Sequence, residues 1–357
     1  MVTAAIIDEG GWDTIAGAWD SLADEAVVAN PFYRRDVVAA CRGLREAGTP
    51  RLLAVRDGDA LLGVLPIATR RKGGIALSVE NWDQRVRALG EPLVRGGREQ
   101  AFWGAALPVL ARGPGHFLRL SALDADSAST RALMAMTRCT VTRRYERAVL
   151  ERGLSSAEHA ARHVRGKVLK EHRRLRARLA ERGALRFERL APEEAAGAWI
   201  DTLFALETSG WKGREGVAAA ADPATERCFR AILTDAHARG ALDFHRMTVG
   251  DATIAMLANV ESGDESFQLK IAYDEEWAAF SPGVLIEMAY LEHALDVRGL
   301  ARADSCARAG HPMIDRLWPA RRTIVSLAVP FDNVRSRLMC RGIEAWRRRR
   351  ANRREQA

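Results

Sequence analysis

Apolar residues recur at helical spacing over residues 11–47, with Trp12, Ile15, Trp19 and Leu22 on one face. The period then shortens. Residues 51–71, RLLAVRDGDALLGVLPIATRR, hold two apolar runs flanking Asp57-Gly58, a pair suited to a tight turn, and predict a β-hairpin. Strands are also predicted near 117–121 and 140–150. Residues 155–183 predict one long helix with sparse apolar positions (Val164, Val168, Leu169, Leu175, Leu179) and a stop signal at Gly183.

A strand is expected at 184–190. Pro192-Glu193-Glu194 then predicts the start of a helix running through Trp199, Leu203 and Leu206. After a loop at 208–222 comes a helix at 223–239. Strands follow at 241–248, 252–260 and 266–273, joined by turns at Gly250-Asp251 and at 261–264. A helix at 282–298 leads to a short strand at 301–306 and a last strand at 322–329. A β-meander, a helix and a crossover strand predict the α/β (α+β) class. The stretch RLLAVRDGDALLGVLPI parallels DFHRMTVGDATIAMLANV in the second half, which suggests two related halves. The expected segments are an N-terminal lobe at 1–154, a basic linking helix at 155–183, a C-terminal lobe at 184–332 and a basic tail at 333–357.

Composition narrows the class. A chain of 357 residues suits two domains, and 48% hydrophobic with 28% charged residues supports a buried core. A formal net charge of +8 favours anionic partners. The five cysteines form no C-x-x-C pair, so neither a structural zinc site nor a disulfide framework is expected. The N-terminus lacks a basic segment followed by a long apolar one, and no apolar run approaches the roughly 18–20 residues that span a bilayer. A cytoplasmic protein is expected, with peripheral contact to the inner membrane possible through its basic segments.

Four blocks carry chemistry in order: LETSGWKGREG (206–216), LKIAYDEEWAAFSPGVL (269–285), the strand ending at Asp304, and HPMIDRLWP (311–319). Together with WDSLADEA and VRDGDALLGVLPI in the first half, they resemble the CelD-like, FemAB-related branch of the GNAT acyltransferases. The resemblance implies tandem GNAT-like lobes, each a mixed, mainly antiparallel sheet flanked by helices. It places a donor thioester in the second lobe, as acyl-CoA or an acyl-carrier-protein thioester, with no permanently bound cofactor and no metal.

Within these blocks, Ser281 and Pro282 open a helix. The amides of Gly283, Val284 and Leu285 are expected to face an anion such as the CoA pyrophosphate; the plainer reading is an ordinary helix start. Alternation sets Lys270 opposite Leu269 and Ile271, to polarise the thioester carbonyl, hold a phosphate or simply face solvent. Glu207 is the candidate general base for an ammonium acceptor. Asp304, at a strand end, is a candidate for binding that amine or taking its proton. Trp211, Lys212, His311 and Trp318 are candidate substrate contacts. Asp274 either orients Lys270 or caps a turn. Cys306 is a weak candidate nucleophile, and the H-x-x-x-D spacing of His311 and Asp315 is short enough to arise by chance.

Nine Arg and Lys crowd 162–182, and more arginines lie at 341–354 beside Ile343 and Trp346. They form either a solvated surface or one that docks on anionic lipid or an acidic carrier protein. No recognition module accompanies the charge, which speaks against nucleic acid. The reading is an acyl-CoA-dependent N-acyltransferase. Its expected acceptor is a lipid amine such as a sphingoid base, as in bacterial ceramide synthesis. The alternatives are an envelope or exopolysaccharide amino sugar, aminoacyl transfer from charged tRNA, and a non-catalytic scaffold binding a carrier protein or membrane.

Overall fold

The computed structural model describes residues 1–44, 48–72, 76–84, 86–334 and 336–342. The chain divides into two compact units. One comprises residues 1–146 and the segment from 322 onward; the other comprises 147–321.

The first unit holds β1 (Val2–Ile7), β2 (Arg51–Asp57), β3 (Ala60–Lys72), β4 (Ala76–Asn81), β5 (Leu93–Val94), β6 (Phe117–Asp124), the first part of β7 (Thr140–Glu151), and the chain's last strand, β13 (Ala320–Pro330). Its sheet runs β1-β2-β3-β4-β6-β13-β7, with β5 beside β3. The β4–β6 pair is parallel; β1–β2, β2–β3, β3–β4 and β6–β13 are antiparallel. The expected hairpin is present, turning at Gly58 with φ +57°. The helix predicted over 11–47 is instead a 3-10 turn at Glu9–Ile15, α1 (Ala16–Glu25), a second 3-10 turn at Pro31–Tyr33 and α2 (Arg35–Cys41). Asn30 causes the break: its side chain accepts the Phe32 amide, and Pro31 starts a new turn. The expected apolar face survives, since Trp12, Ile15, Trp19 and Leu22 are all buried. Helices α3 (Glu99–Ala111) and α4 (Ala128–Met136) also belong to this unit, and residues 336–342 are helical.

The second unit begins with the end of β7. Then come α5 (Ser156–His163), α6 (Gly166–Ala180), β8 (Leu185–Arg189), α7 (Gly197–Ser209), α8 (Trp211–Arg214), α9 (Pro223–Ala238), β9 (Leu242–Val249), β10 (Ala252–Ser262) and β11 (Glu265–Tyr273). Helix α10 (Pro282–His293), β12 (Arg302–Asp304) and α11 (Ile314–Leu317) follow. The sheet order is β8-β9-β10-β11-β12-β7, with β11–β12 parallel and the other pairs antiparallel. Each unit is thus a mixed, mainly antiparallel sheet flanked by helices, as the α/β class requires.

Three expectations need correction. The single basic helix over 155–183 is two helices. Val164 is extended (φ −107°, ψ 124°) and buried, so an apolar side chain turned into the core interrupts the helix. The helix expected from Pro192 starts at Gly197; Glu194 instead accepts the Trp199 indole N–H at 2.9 Å. The last strand, assigned by sequence to the second lobe, pairs with β6 of the first. The end of β7, assigned to the first lobe, pairs with β12 of the second. The strand beside β6 and the strand beside β12 are each supplied by the other half of the sequence, so the expected boundaries at 154 and 332 do not follow the units. Residues 343–357, with Ile343, Trp346 and the arginines from Arg347 onward, lie outside the described residues. Among the described residues no helix is long and apolar enough to cross a membrane.

Candidate active site

The ladder between β10 and β11 slips by one residue: Ala258 pairs with Lys270, Asn259 with Gln268, and Leu269 is extra. A bulge of this kind re-aims the side chains beside it. Lys270 faces α7 and α9, with its Nζ 2.6 Å from Glu207 Oε1 and 4.2 Å from the centre of the Phe229 ring. Gln268 faces the other way and donates to Glu287 on α10 at 2.9 Å. Alternation therefore placed Lys270 opposite Ile271 correctly, but the bulge was not visible in the sequence.

Glu207 lies on the buried side of α7, 3% exposed. Its Oε1 accepts from both Lys270 and Lys212, the latter at 3.0 Å, and its Oε2 accepts the Ala219 amide at 2.8 Å. Burial pushes its pKa up, but Lys270, Lys212 and the amide outweigh burial and hold it below the ordinary carboxylate value. Burial lowers the Lys270 pKa, with Lys212 adding to the fall and Glu207 opposing it. Lys212 also donates to the Ile271 carbonyl at 3.3 Å. A carboxylate so engaged is a weak base. Its evident work is to hold two ammonium groups, not the general-base role expected of it.

These groups sit at a cleft of about 30 Å³ lined by Glu207, Trp211, Lys212, Ile271 and Tyr273. Trp211 is 44% exposed. Glu275, which the sequence reading missed, accepts the Trp211 amide at 2.7 Å and pairs with Arg214. A larger groove of about 750 Å³ lies at the start of α10, with Val164, Val168, Val284 and Met313 on its walls and Arg165 and Arg316 among its polar residues. Ile271 and Tyr273, which line the cleft, also pack near Gly283 at the start of α10. The pairing of β11 with β12 ends at Phe267 and Asp304. Among the described residues, no strand covers that side of β11 from Gln268 to Tyr273.

The expected anion turn differs from the sequence reading. Ser281 is left-handed (φ 52°, ψ 50°), and its carbonyl accepts the amides of Val284 at 3.0 Å and Leu285 at 3.1 Å. Those two N–H groups are therefore used within the turn. Packing at Gly283 is tight: a Cβ there would lie 3.2 Å from Tyr273 Cδ1.

The remaining candidates separate. His311 accepts the Ile314 amide at Nδ1, 3.3 Å away, and caps α11. Its pKa is lowered by burial, then by Arg308, with a smaller contribution from Lys212. Asp274 caps the 3-10 turn at Glu275–Phe280 by accepting the Glu276 amide at 3.0 Å. Asp304 is fully buried, 3.3 Å from Arg147, and accepts the Cys306 amide at 2.8 Å. Trp318 is fully buried and stacks on Tyr290 at 6.1 Å. Asp304 and Trp318 thus hold the core, and neither lines the cleft. A second polar cluster, Asp243, His245 and His293, escaped the sequence reading. Asp243 and His245 alternate on a strand, which was a usable signal; His293 joins them only through the fold.

Residues 166–310 match the family described as acetyltransferase (GNAT) domain. No curated protein matches the chain by sequence. Among solved structures, FemX is similar in fold, with a TM-score of 0.60 at 10% identity over 88% of this chain and 95% of that one. The C-terminal domain of a putative lysylphosphatidylglycerol synthetase from Agrobacterium fabrum has a TM-score of 0.54 at 12% identity, over 93% and 96%. L-PGS from Bacillus licheniformis has a TM-score of 0.50 at 13% identity, over 79% and 86%. Residues 166–310 thus match a GNAT acetyltransferase domain, the sheet of that segment carries the lysine–glutamate cluster, and the protein is an acyltransferase.

Proposed function

We propose that the chain transfers an acyl group from a thioester, acyl-CoA or carrier-protein-bound, onto the amine of a lipid such as a sphingoid base. The observation that carries this reading is the uncovered edge of β11 beside Lys270. A pantetheine arm laid along that edge would meet strand backbone as an added strand does, taking the Ile271 carbonyl from Lys212. Its carbonyl would then lie near the bulge and the Lys270 ammonium. The groove at Val284 has apolar walls for an acyl or pantetheine chain and arginines for phosphates.

The acceptor nitrogen attacks the thioester carbon, and the carbonyl oxygen takes the negative charge. A preplaced cation stabilises that oxyanion without reorganising. The carbon–sulfur bond then breaks, the thiolate leaves, and the proton lost by the attacking nitrogen balances its charge. Lys270 is the proposed catalytic cation, and Glu207 positions it. A lipid acceptor is supported by the surface of α5 and α6, where Arg162, Arg165, Lys167, Lys170, Arg173, Arg174, Arg176 and Arg178 are all exposed. It is also supported by the likeness in fold to the domain of a protein named as a putative lysylphosphatidylglycerol synthetase.

The test is thiol release from acyl-CoA with a sphingoid base in anionic vesicles, compared with a short soluble amine. Release with the lipid amine is expected, with a loss of about 100-fold or more in Lys270→Met. Release with neither amine overturns the thioester reading. Release with the soluble amine alone overturns the lipid acceptor. Activity that needs charged tRNA and disappears with RNase would assign an aminoacyl donor instead.

A further inference from the structure

We propose that Asp243, His245 and His293 form a binding site for one divalent transition-metal ion, with Zn²⁺ the best-matched ion. Asp243 and His245 alternate on β9 and so project from the same face of the sheet. That face is opposite the one bearing Lys270: Lys270 stands across from Ala258, and Ala258 across from Phe244, the residue between them. Helix α10 covers this side, and His293 is its last residue.

The separations are those of ligands around one ion. His245 Nε2 lies 3.0 Å and His293 Nε2 3.6 Å from Asp243 Oδ1. One ligand atom from each of the three residues lies within 4.8 Å of the other two. Ligands bound at about 2.1 Å around a tetrahedral Zn²⁺ stand about 3.4 Å apart, which the two shorter distances bracket.

A second observation points to an ion. His245 is 8% exposed, yet its buried Nε2 makes no aligned hydrogen bond, and neither does the buried Nε2 of His293. Two imidazole nitrogens thus stand close to one carboxylate oxygen. Atoms that converge on a shared centre have this arrangement. Directly after His293 the helix widens into a π-turn at Ala294–Arg298, a distortion frequent at functional sites. Arg189 Nε now lies 2.8 Å from Asp243 Oδ1 and balances its charge. The Arg189 side chain is 41% exposed, so it has room to withdraw toward solvent when an ion enters. With two imidazoles and one carboxylate as ligands, the fourth position belongs to water. An ion here would tie β9 to the end of α10, on the face of the sheet opposite Lys270.

The experiment uses the full chain after removal of metal by a chelator. Calorimetric titration with Zn²⁺ is expected to give one ion per chain and a raised Tm. Co²⁺ is expected to give the visible bands of a tetrahedral site. His293→Gln, at the least buried of the three positions, is expected to weaken Zn²⁺ binding at least tenfold and to abolish the Co²⁺ bands, with its fold checked by circular dichroism. Wild-type protein that binds no Zn²⁺ overturns the proposal, as does binding unchanged in His293→Gln. Neither readout uses acyl transfer, so failure here leaves the enzymatic reading intact.

Discussion

A carboxylate that already accepts from two ammonium groups and an amide has little basicity left to offer a substrate. Glu207 acts on the chemistry through Lys270, and the sign of that effect can be worked out. Burial and Lys212 lower the Lys270 pKa, and Glu207 alone among the principal causes raises it. Glu207→Gln removes the raising cause, so the ammonium is lost at lower pH. The alkaline fall of kcat/KM should therefore begin at lower pH than in the wild type, which a pH–rate profile reads directly. An unmoved alkaline limb would show that Lys270 is not the titrating group. Asp304 should behave oppositely. Breaking its buried pair with Arg147 is expected to cost about 3–5 kcal/mol of stability. Asp304→Asn should lower the urea midpoint, while protein that remains folded keeps turnover near the wild-type value. Alternation along FQLKIAYD was enough to single out Lys270. It could not reveal Glu207 as the partner, because 63 residues separate the two. It could not show the burial of Asp304 either, because Arg147 lies 157 residues away.

At the scale of elements, local signals were read well and their combination less so. The Asp57-Gly58 hairpin, the meander and the start of α10 follow from turn residues and alternation. The break at Val164 does not, because a helical pattern carries no mark of a residue that the core pulls inward. The start of α10 shows how a correct element can carry the wrong explanation. Gly283 suggested close approach of a ligand, whereas its neighbour is the Tyr273 ring. Gly283→Ala should push that ring toward the cleft and cost about 1 kcal/mol by overpacking. Gly283→Val should cost more. Thermal melts and the donor KM should change together. If stability is untouched while donor affinity falls, the glycine serves the ligand after all.

At the scale of the whole molecule, the sequence suggested two similar halves but not how their strands are shared. Both units have a meander, a parallel pair and a final antiparallel strand, and a reading along the chain assigns that final strand to the half in which it occurs. Pairing between β6 and β13 joins residues about 200 positions apart. No local pattern encodes such a contact, and the loop it closes must be ordered before the contact is made.

That exchange has a consequence for synthesis. A ribosome releases β6 once Asp124 has emerged, but the strand that pairs with it starts only at Ala320. At about 5–20 residues per second the interval is on the order of 10–40 s. Throughout it, β6 presents an open edge, which is a template for unwanted pairing. The second unit faces a somewhat shorter wait, because β7 ends at Glu151 and its partner β12 starts only at Arg302. A chain ending at residue 319 should therefore yield a protease-sensitive first unit that aggregates, and a peptide spanning 320–342 added in trans should protect it. A 1–319 chain as resistant as the full protein would show β6 to be safe alone. The half translated first is the half that finishes folding last, and holdase chaperones should be found on it while the rest is still being made.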